Sequence, residues 1–178
     1  MQPGTCWLYR QNGETAGAIQ PSFLQDALLN EARQVVNDQL SSAKKYVSGL
    51  NSITAFVEYI QPPVSLIIIG GGNDIMPLVQ MANVLGWQTT VVDGRANYAT
   101  KSRFPEATNV VVAKPGNVLD QVSIDEQTVF ALMTHNYNYD FAMLKQLVNT
   151  DVLYTGVLGP RKKMERMMGE MQAEGIIL

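Results

Sequence analysis

The sequence predicts an α/β protein: a doubly wound parallel sheet of about five strands, preceded by a small α+β lobe. Three observations lead there. An apolar run, Leu66-Ile67-Ile68-Ile69, stops at Gly70-Gly71-Gly72-Asn73-Asp74, the pattern of a buried parallel strand ending in a tight turn. Beyond the turn, Leu78, Met81, Ala82 and Leu85 recur at helical spacing, and Gly86 separates them from a second strand, Thr89-Thr90-Val91-Val92-Asp93. Strand-like and helix-like stretches then keep alternating to the end of the chain.

The elements follow in order. Asn12-Gly13 between Trp7-Leu8-Tyr9 and Thr15 to Ile19 is a strong hairpin signal over residues 5–19. Ser22 and Gln25 have capping-box spacing, and Leu24, Ala27, Leu28 and Val35 give a helix over about 22–40. Residues 44–47 and 53–60 read as strands around the turn Gly49 to Ser52. Pro62-Pro63 is a stiff break, which places a boundary between a lobe of residues 1–61 and a domain of residues 62–178. In the second part, strands are expected at 109–113, 128–133 and 152–158, and a short helix or turn at 116–122. Helices are expected at 140–148, with Phe141, Leu144 and Val148 inward, and at 161–174.

The glycine turn carries the first functional signal. The dinucleotide fingerprint is G-x-G-x-x-G followed by an acid about twenty residues later. Gly70 and Gly72 supply two of its glycines, Ile75 stands at the third, and Asp93 follows Gly72 by 21 residues. A carboxylate at that strand end can accept hydrogen bonds from a ribose or similar diol, and a helix N-terminus favours a phosphate. The alternative is a glycine turn that only lets strand and helix pack. Pro77 has no N–H and fits a helix only in its first turn, so Asp74 or a later residue is the comfortable cap. A carboxylate there competes with a ligand phosphate, which points to a modified site for a ligand other than NAD.

Composition narrows the class. Hydrophobic residues make up 46% and charged residues 16%, which describes a globular chain with a real core. A net charge of −3 gives no footprint for nucleic acid. One cysteine, Cys6, excludes an internal disulfide framework and fits a reducing, cytoplasmic setting. Cys6 itself reads as a small buried residue on a strand. No apolar run approaches the roughly 18 residues of a membrane span, and the start has no basic segment of a secretory signal.

In a doubly wound sheet, ligands bind outside the carboxyl ends of the strands. Four polar strand ends therefore converge: Gly70 to Asp74, Asp93 to Arg95, Thr134-His135-Asn136 and Gly159-Pro160-Arg161. His135 reads either as a hydrogen-bonded loop histidine or as a polar group lining the crevice. With no second His or Cys nearby a metal site is not expected, and no catalytic triad can be assembled. Arg161, Lys162 and Lys163 form either a solvated basic turn or an anion clamp. Arg95 can act likewise or simply pair with Asp93. Met164, Met167, Met168 and Met171 lie at helical spacing, as a core face or, alternatively, as an adaptable partner or dimer surface.

Taken together, five motifs in order resemble the XdhC/CoxI family of molybdoenzyme accessory proteins. They are Gly70 to Asp74; Leu85-Gly86-Trp87 with Val91 to Arg95; Tyr98-Ala99-Thr100 with Arg103-Phe104-Pro105; Met133 to Tyr137 with Asp140; and Gly156 to Arg161. The similarity covers about residues 60–170 closely and is weaker before them, where Pro3-Gly4 and Gly13 to Ile19 still fit. The resemblance implies a Rossmann-like domain and a chaperone without turnover of its own. It implies binding of molybdenum cofactor (molybdopterin), its sulfuration with a cysteine desulfurase, and delivery to a xanthine dehydrogenase-type enzyme, from a homodimer. The pterin or a nucleotide would then meet Gly70, Gly72, Asn73 and Asp74, with Asp93 and Arg95 on the next strand end. Thr134, His135, Asn136, Gly159 and Arg161 would close the crevice.

The sequence departs from the family pattern in two places. Ile19-Gln20-Pro21-Ser22-Phe23-Leu24-Gln25 stands where family members often carry Ile-Ser-Gly-Gly-Cys-Leu-Glu, and no Pro-x-Gly-Leu-Asp-Ile-Gly segment follows Arg161. Two other readings use the same residues. One is an NAD(P)-linked oxidoreductase or nucleotide sensor, for which Asp93 favours NAD over NADP. The other is an interaction protein with an empty crevice and a partner on the methionine stripe.

Overall fold

A computed structural model describes residues 6–19, 24–49 and 51–176. The proposed capping box at Ser22 and the motif Pro3-Gly4 lie outside the described residues. The chain divides into two compact units, Met1–Gln61 and Pro62–Leu178.

The first unit contains two hairpins and a helix. Strands β1 (Trp7–Tyr9) and β2 (Thr15–Gly17) pair antiparallel, and the turn closes through the Gly13 N–H on the Arg10 carbonyl, with Gly13 at φ +88°. Cys6 precedes β1 and is exposed, against its expected burial. The short β2 is exposed at every position, so this hairpin offers little apolar cover. Helix α1 (Gln25–Asp38) buries Leu28, Ala32 and Val35, followed by the longer hairpin β3 (Ser42–Ser48) and β4 (Asn51–Val57). One acid, Glu31, is buried on α1, where the Ser42 hydroxyl donates to it at 2.5 Å and the Lys44 ammonium neutralises it.

The second unit is a five-stranded parallel sheet in the order β7-β6-β5-β8-β9. These strands are β5 (Ser65–Ile69), β6 (Gln88–Asp93), β7 (Asn109–Val112), β8 (Thr128–Leu132) and β9 (Tyr154–Val157). The chain runs outward from β5 to β7, returns to the other side of β5 at β8, and continues to β9. Ile69 is thus in register with Val92 on one side and Leu132 on the other. Successive residues of β5 serve opposite faces, as the pleat demands. Leu66 and Ile68 pack with helix α2 (Ile75–Val84) and with Phe104 and Ala107. Ile67 and Ile69 pack with helices α3 (Tyr137–Leu147) and α4 (Arg161–Ala173). Both faces are covered, which explains why β5 is apolar at four consecutive positions.

Three expected details are corrected. The inward stripe of α2 is Ile75, Val79 and Ala82, while Met81, Val84 and Leu85 face solvent. This helix is apolar nearly all round, so spacing alone does not set its phase. Helix α3 starts at Tyr137 rather than 140, because the Asn136 side chain accepts the N–H groups of Asn138 and Tyr139. It buries Asp140, Met143, Leu144 and Leu147, with Phe141 and Val148 only partly covered. On α4, Met167 and Met171 are fully buried and Met164 packs beside them. Only Met168 of the four is exposed, so the stripe is core and not a partner groove. The expected helix or turn after Pro115 is a single 3-10 turn, Pro115–Asn117. Among the described residues no helix is long and apolar enough to cross a membrane.

Candidate functional site

The reversal of strand order falls between β5 and β8, which opens a crevice between their carboxyl ends. The glycine turn after β5 forms one wall. Gly70 has φ +132°, and a Cβ there would lie 2.5 Å from the Met133 carbonyl oxygen, so only glycine fits. A Cβ on Gly71 would press on Tyr98 at 3.0 Å. Gly70 donates its N–H to Val92 and Gly71 donates to Asp93. Among the described residues, the N–H groups of Gly72, Asn73 and Asp74 donate to no protein acceptor. They immediately precede α2, whose dipole adds positive potential there. Pro77 falls within the first turn of that helix. Asp74 stands at the cap position, but its side chain makes no capping bond. Its Oδ2 lies 3.1 Å from His135 Nε2, across the crevice.

Asp93 closes β6 and is only 3% exposed. Its Oδ1 accepts the Arg95 N–H at 2.8 Å and Arg95 Nε at 2.9 Å. Its Oδ2 accepts the Gly71 N–H and Arg95 Nη2, both at 2.8 Å. Burial pushes this carboxyl up, but the Arg95 side chain, the two backbone N–H groups and the Arg95 charge together hold it below its usual range. Arg95 lies flat on the Tyr98 ring, 3.6 Å from its centroid, and Arg103 approaches the same ring at 4.8 Å. Arg103 Nη2 donates to Asn73 Oδ1 at 2.8 Å, so the two loops are tied at both ends.

The β8 end forms the opposite wall. His135 adopts φ +57°, a left-handed backbone that is uncommon outside glycine, although histidine takes it more readily than most residues. Thr134 steadies it, with its hydroxyl 2.6 Å from Asp140 Oδ1 and its oxygen accepting the Asn136 N–H. Asp140 is fully buried and its other oxygen takes Lys163 Nζ at 2.6 Å. Lys163 also donates to the Leu158 carbonyl and lies against Gly159, which has φ +139°. Of the basic run, then, Lys163 turns inward while Arg161 is 91% exposed and bonds Glu165. Tyr139 lies against Gly94 and donates its hydroxyl to the Ala113 carbonyl at 2.5 Å. Burial, then Asp93 and Asp140, push its phenol up to about 12.

A cavity of about 140 Å³ opens among Asp93, Gly94, Arg95, Thr134, Asn136 and Tyr139. The structure therefore brings Asp93, Arg95, Thr134 and Asn136 together on one cavity, with Gly70 to Asp74 and His135 joined to it through Asp93 and Asp74. Gly159 serves the Lys163 side chain, and Arg161 bonds on its own helix. Tyr139 and Arg103 are participants that spacing does not reveal. Arg103 stands in the motif that also holds Tyr98, whereas Tyr139 adjoins Asp140 without being part of a motif. Among the described residues, no group of three or more His, Cys, Asp or Glu side chains converges as a metal site.

Strand order, glycine turn and crevice define a Rossmann-type α/β domain. Residues 66–177 match the family described as the XdhC Rossmann domain, and the chain belongs to that family. It is 30% identical over 113 residues to a probable xanthine dehydrogenase component of Bacillus subtilis (strain 168), covering 64% of this chain and 34% of that protein. It is 20% identical over 183 residues to the uncharacterized protein YqeB of Escherichia coli (strain K12), covering 95% of this chain and 33% of that one. The chain thus spans about a third of the length of these curated relatives. A crystal structure of a xanthine dehydrogenase from Bacillus halodurans matches with a TM-score of 0.58 at 19% identity, over 92% of this chain and 74% of that chain. At that identity the likeness concerns the fold.

Proposed function

We propose that this protein is an accessory factor for a xanthine dehydrogenase-type enzyme, and that it holds molybdenum cofactor in the crevice between β5 and β8. The observation that carries this reading is the set of three backbone N–H groups at Gly72, Asn73 and Asp74, without a protein acceptor among the described residues, beside the Arg103 guanidinium. Arg103 bonds Asn73 and the Tyr98 carbonyl, sits over the Tyr98 and Phe104 rings, and has no carboxylate in salt-bridge reach among the described residues. Donors beside a guanidinium suit the phosphate of a pterin cofactor, which meets the Asp74 carboxylate of the same turn as a competitor, itself bonded to His135. Membership of the XdhC Rossmann domain family supports the same reading, as does the naming of the Bacillus subtilis relative for xanthine dehydrogenase.

The fit is to a bound group and not to turnover. Among the described residues, the one hydroxyl of the lining set beside a carboxylate, Thr134 with Asp140, is tied to the Asn136 backbone, and Asp140 to Lys163, so that these groups hold the β8 loop. The NAD(P) reading has less support, because Asp93 already has four N–H donors on its two oxygens. Transfer to a client enzyme, a cysteine desulfurase partner, a dimeric state and a cytoplasmic location belong to this proposal.

Fluorescence titration of the purified protein with molybdenum cofactor, NAD and NADP tests it. Saturable binding of the pterin alone is expected, with no absorbance change at the nicotinamide band. Tight NAD binding with hydride transfer to a carbonyl substrate would overturn the reading.

A further inference from the structure

The cavity between the ends of β6 and β8 has a lopsided hydrogen-bond inventory. Its carboxylate and amide oxygens are spent. A carboxylate offers about four acceptor sites, and Asp93 fills them with the N–H groups of Gly71 and Arg95 and two guanidinium bonds. Asn136 Oδ1 takes the N–H groups of Asn138 and Tyr139. The Thr134 hydroxyl is engaged by Asp140 and by the Asn136 backbone, and Tyr139 donates to Ala113.

Its donors are not spent. Of about five guanidinium N–H groups, Arg95 gives one from Nε and one from Nη2 to Asp93, and the rest have no protein acceptor among the described residues. The same holds for the Asn136 Nδ2 group. The orientation of that amide is fixed, because two helix N–H groups demand its oxygen.

A ligand group entering this space meets spare N–H donors and no free carboxylate or amide oxygen. An oxyanion matches that lining. A sugar diol matches it less well, since the Asp93 carboxylate that would accept its O–H groups is already filled. Size agrees: about 140 Å³ suits one small group, whereas pockets for whole drug-sized ligands start at roughly 300 Å³. We infer that this cavity is an oxyanion subsite, formed by Arg95 and Asn136, that takes a phosphate or carboxylate group and refuses a ribose. Asp93 is its positioning residue: it offsets the Arg95 charge and orients the guanidinium, so selectivity lies in the direction of the N–H groups. The inference rests on the crevice being a cofactor site and gives it a second anion contact, apart from the Gly72 to Asp74 amides.

Amide chemical-shift titrations of the full chain with inorganic phosphate, acetate and adenosine test it. Phosphate or acetate is expected to give saturable shifts at Gly94, Arg95 and Asn136, and adenosine none. The two anions separate a phosphate reader from a carboxylate reader. Asn136→Asp is the deciding variant, because aspartate keeps the helix cap while replacing the amide donors with an anion. It should weaken the bound anion by about tenfold or more, with an unchanged melting temperature. Arg95→Gln should do the same, but it also strips Asp93 of its partner. Adenosine binding at the same amides, or anion affinity unmoved by Asn136→Asp, overturns the subsite. If molybdenum cofactor binds wild type and Asn136→Asp alike, the subsite is wrong and the proposed function stands. If the anion behaves as described and the cofactor does not bind, the subsite stands and the proposed function falls.

Discussion

Asp93 spends its carboxylate on its own chain, and that decides what its removal does. Asp93→Ala leaves the Gly71 N–H without its acceptor and releases the Arg95 guanidinium from its stack on Tyr98. An orphaned buried donor costs about 1–3 kcal/mol, and urea denaturation of Asp93→Ala should show a loss in that range. The pH dependence has a definite sign. The folded carboxyl is held below its ordinary value of 3.8, so its contribution is complete above that value and is lost as pH falls through the lower, folded one. Wild type should therefore lose its margin over Asp93→Ala only on the acid side of about pH 4. The basic run after β9 shows a limit of reading residues one by one. Arg161 and Lys163 look alike in the chain, yet Lys163 neutralises the fully buried Asp140. Lys163→Ala should cost about 3 kcal/mol, the scale for stranding a buried charge. Arg161→Ala, on an open helix face, should leave the same denaturation curve in place. Nothing in the sequence tells these two apart, because the distinction is made by a partner on another helix.

At the scale of elements, the glycine turn was legible because it needs a residue without a Cβ. Gly70→Ala would drive that atom into the Met133 carbonyl at φ +132°. A loss of about 3 kcal/mol or more is expected, read as a fall in thermal midpoint or in soluble yield. Gly169 makes the opposite case. It lies within α4, with nothing within 4 Å of an added Cβ. Gly169→Ala should raise stability by about 0.5–1 kcal/mol in the same assay. The strands of the second unit were readable from short apolar runs bounded by polar turns. Helix phases were less so. On α2 the apolar residues nearly encircle the helix, and the inner face is set by how the turn delivers Ile75 against the sheet. The early start of α3 depends on the Asn136 side chain, which also reads as an ordinary loop residue beside His135.

At the scale of the molecule, the two units differ in how they hold together. The second has a core on each face of its sheet, with Ile67 and Ile69 on one side and Leu66 and Ile68 on the other. A fragment of residues 62–178 should therefore unfold in one cooperative transition, followed by circular dichroism against urea. Retained helix signal with no transition would contradict that. The parallel class and the five strands came from alternation alone, while the reversal at β5 and β8 and the Gly71 bond to Asp93 are long-range facts that local pattern does not encode. The proposal stands or falls on an anionic pterin lodging in the crevice. Backbone amide mapping of the intact protein with molybdenum cofactor added reads that event without an intermediary. Saturable shifts centred on Gly72, Asn73, Asp74 and Arg95 are expected. Shifts confined to other parts of the chain, or none with active cofactor present, would contradict a cofactor bound in the crevice.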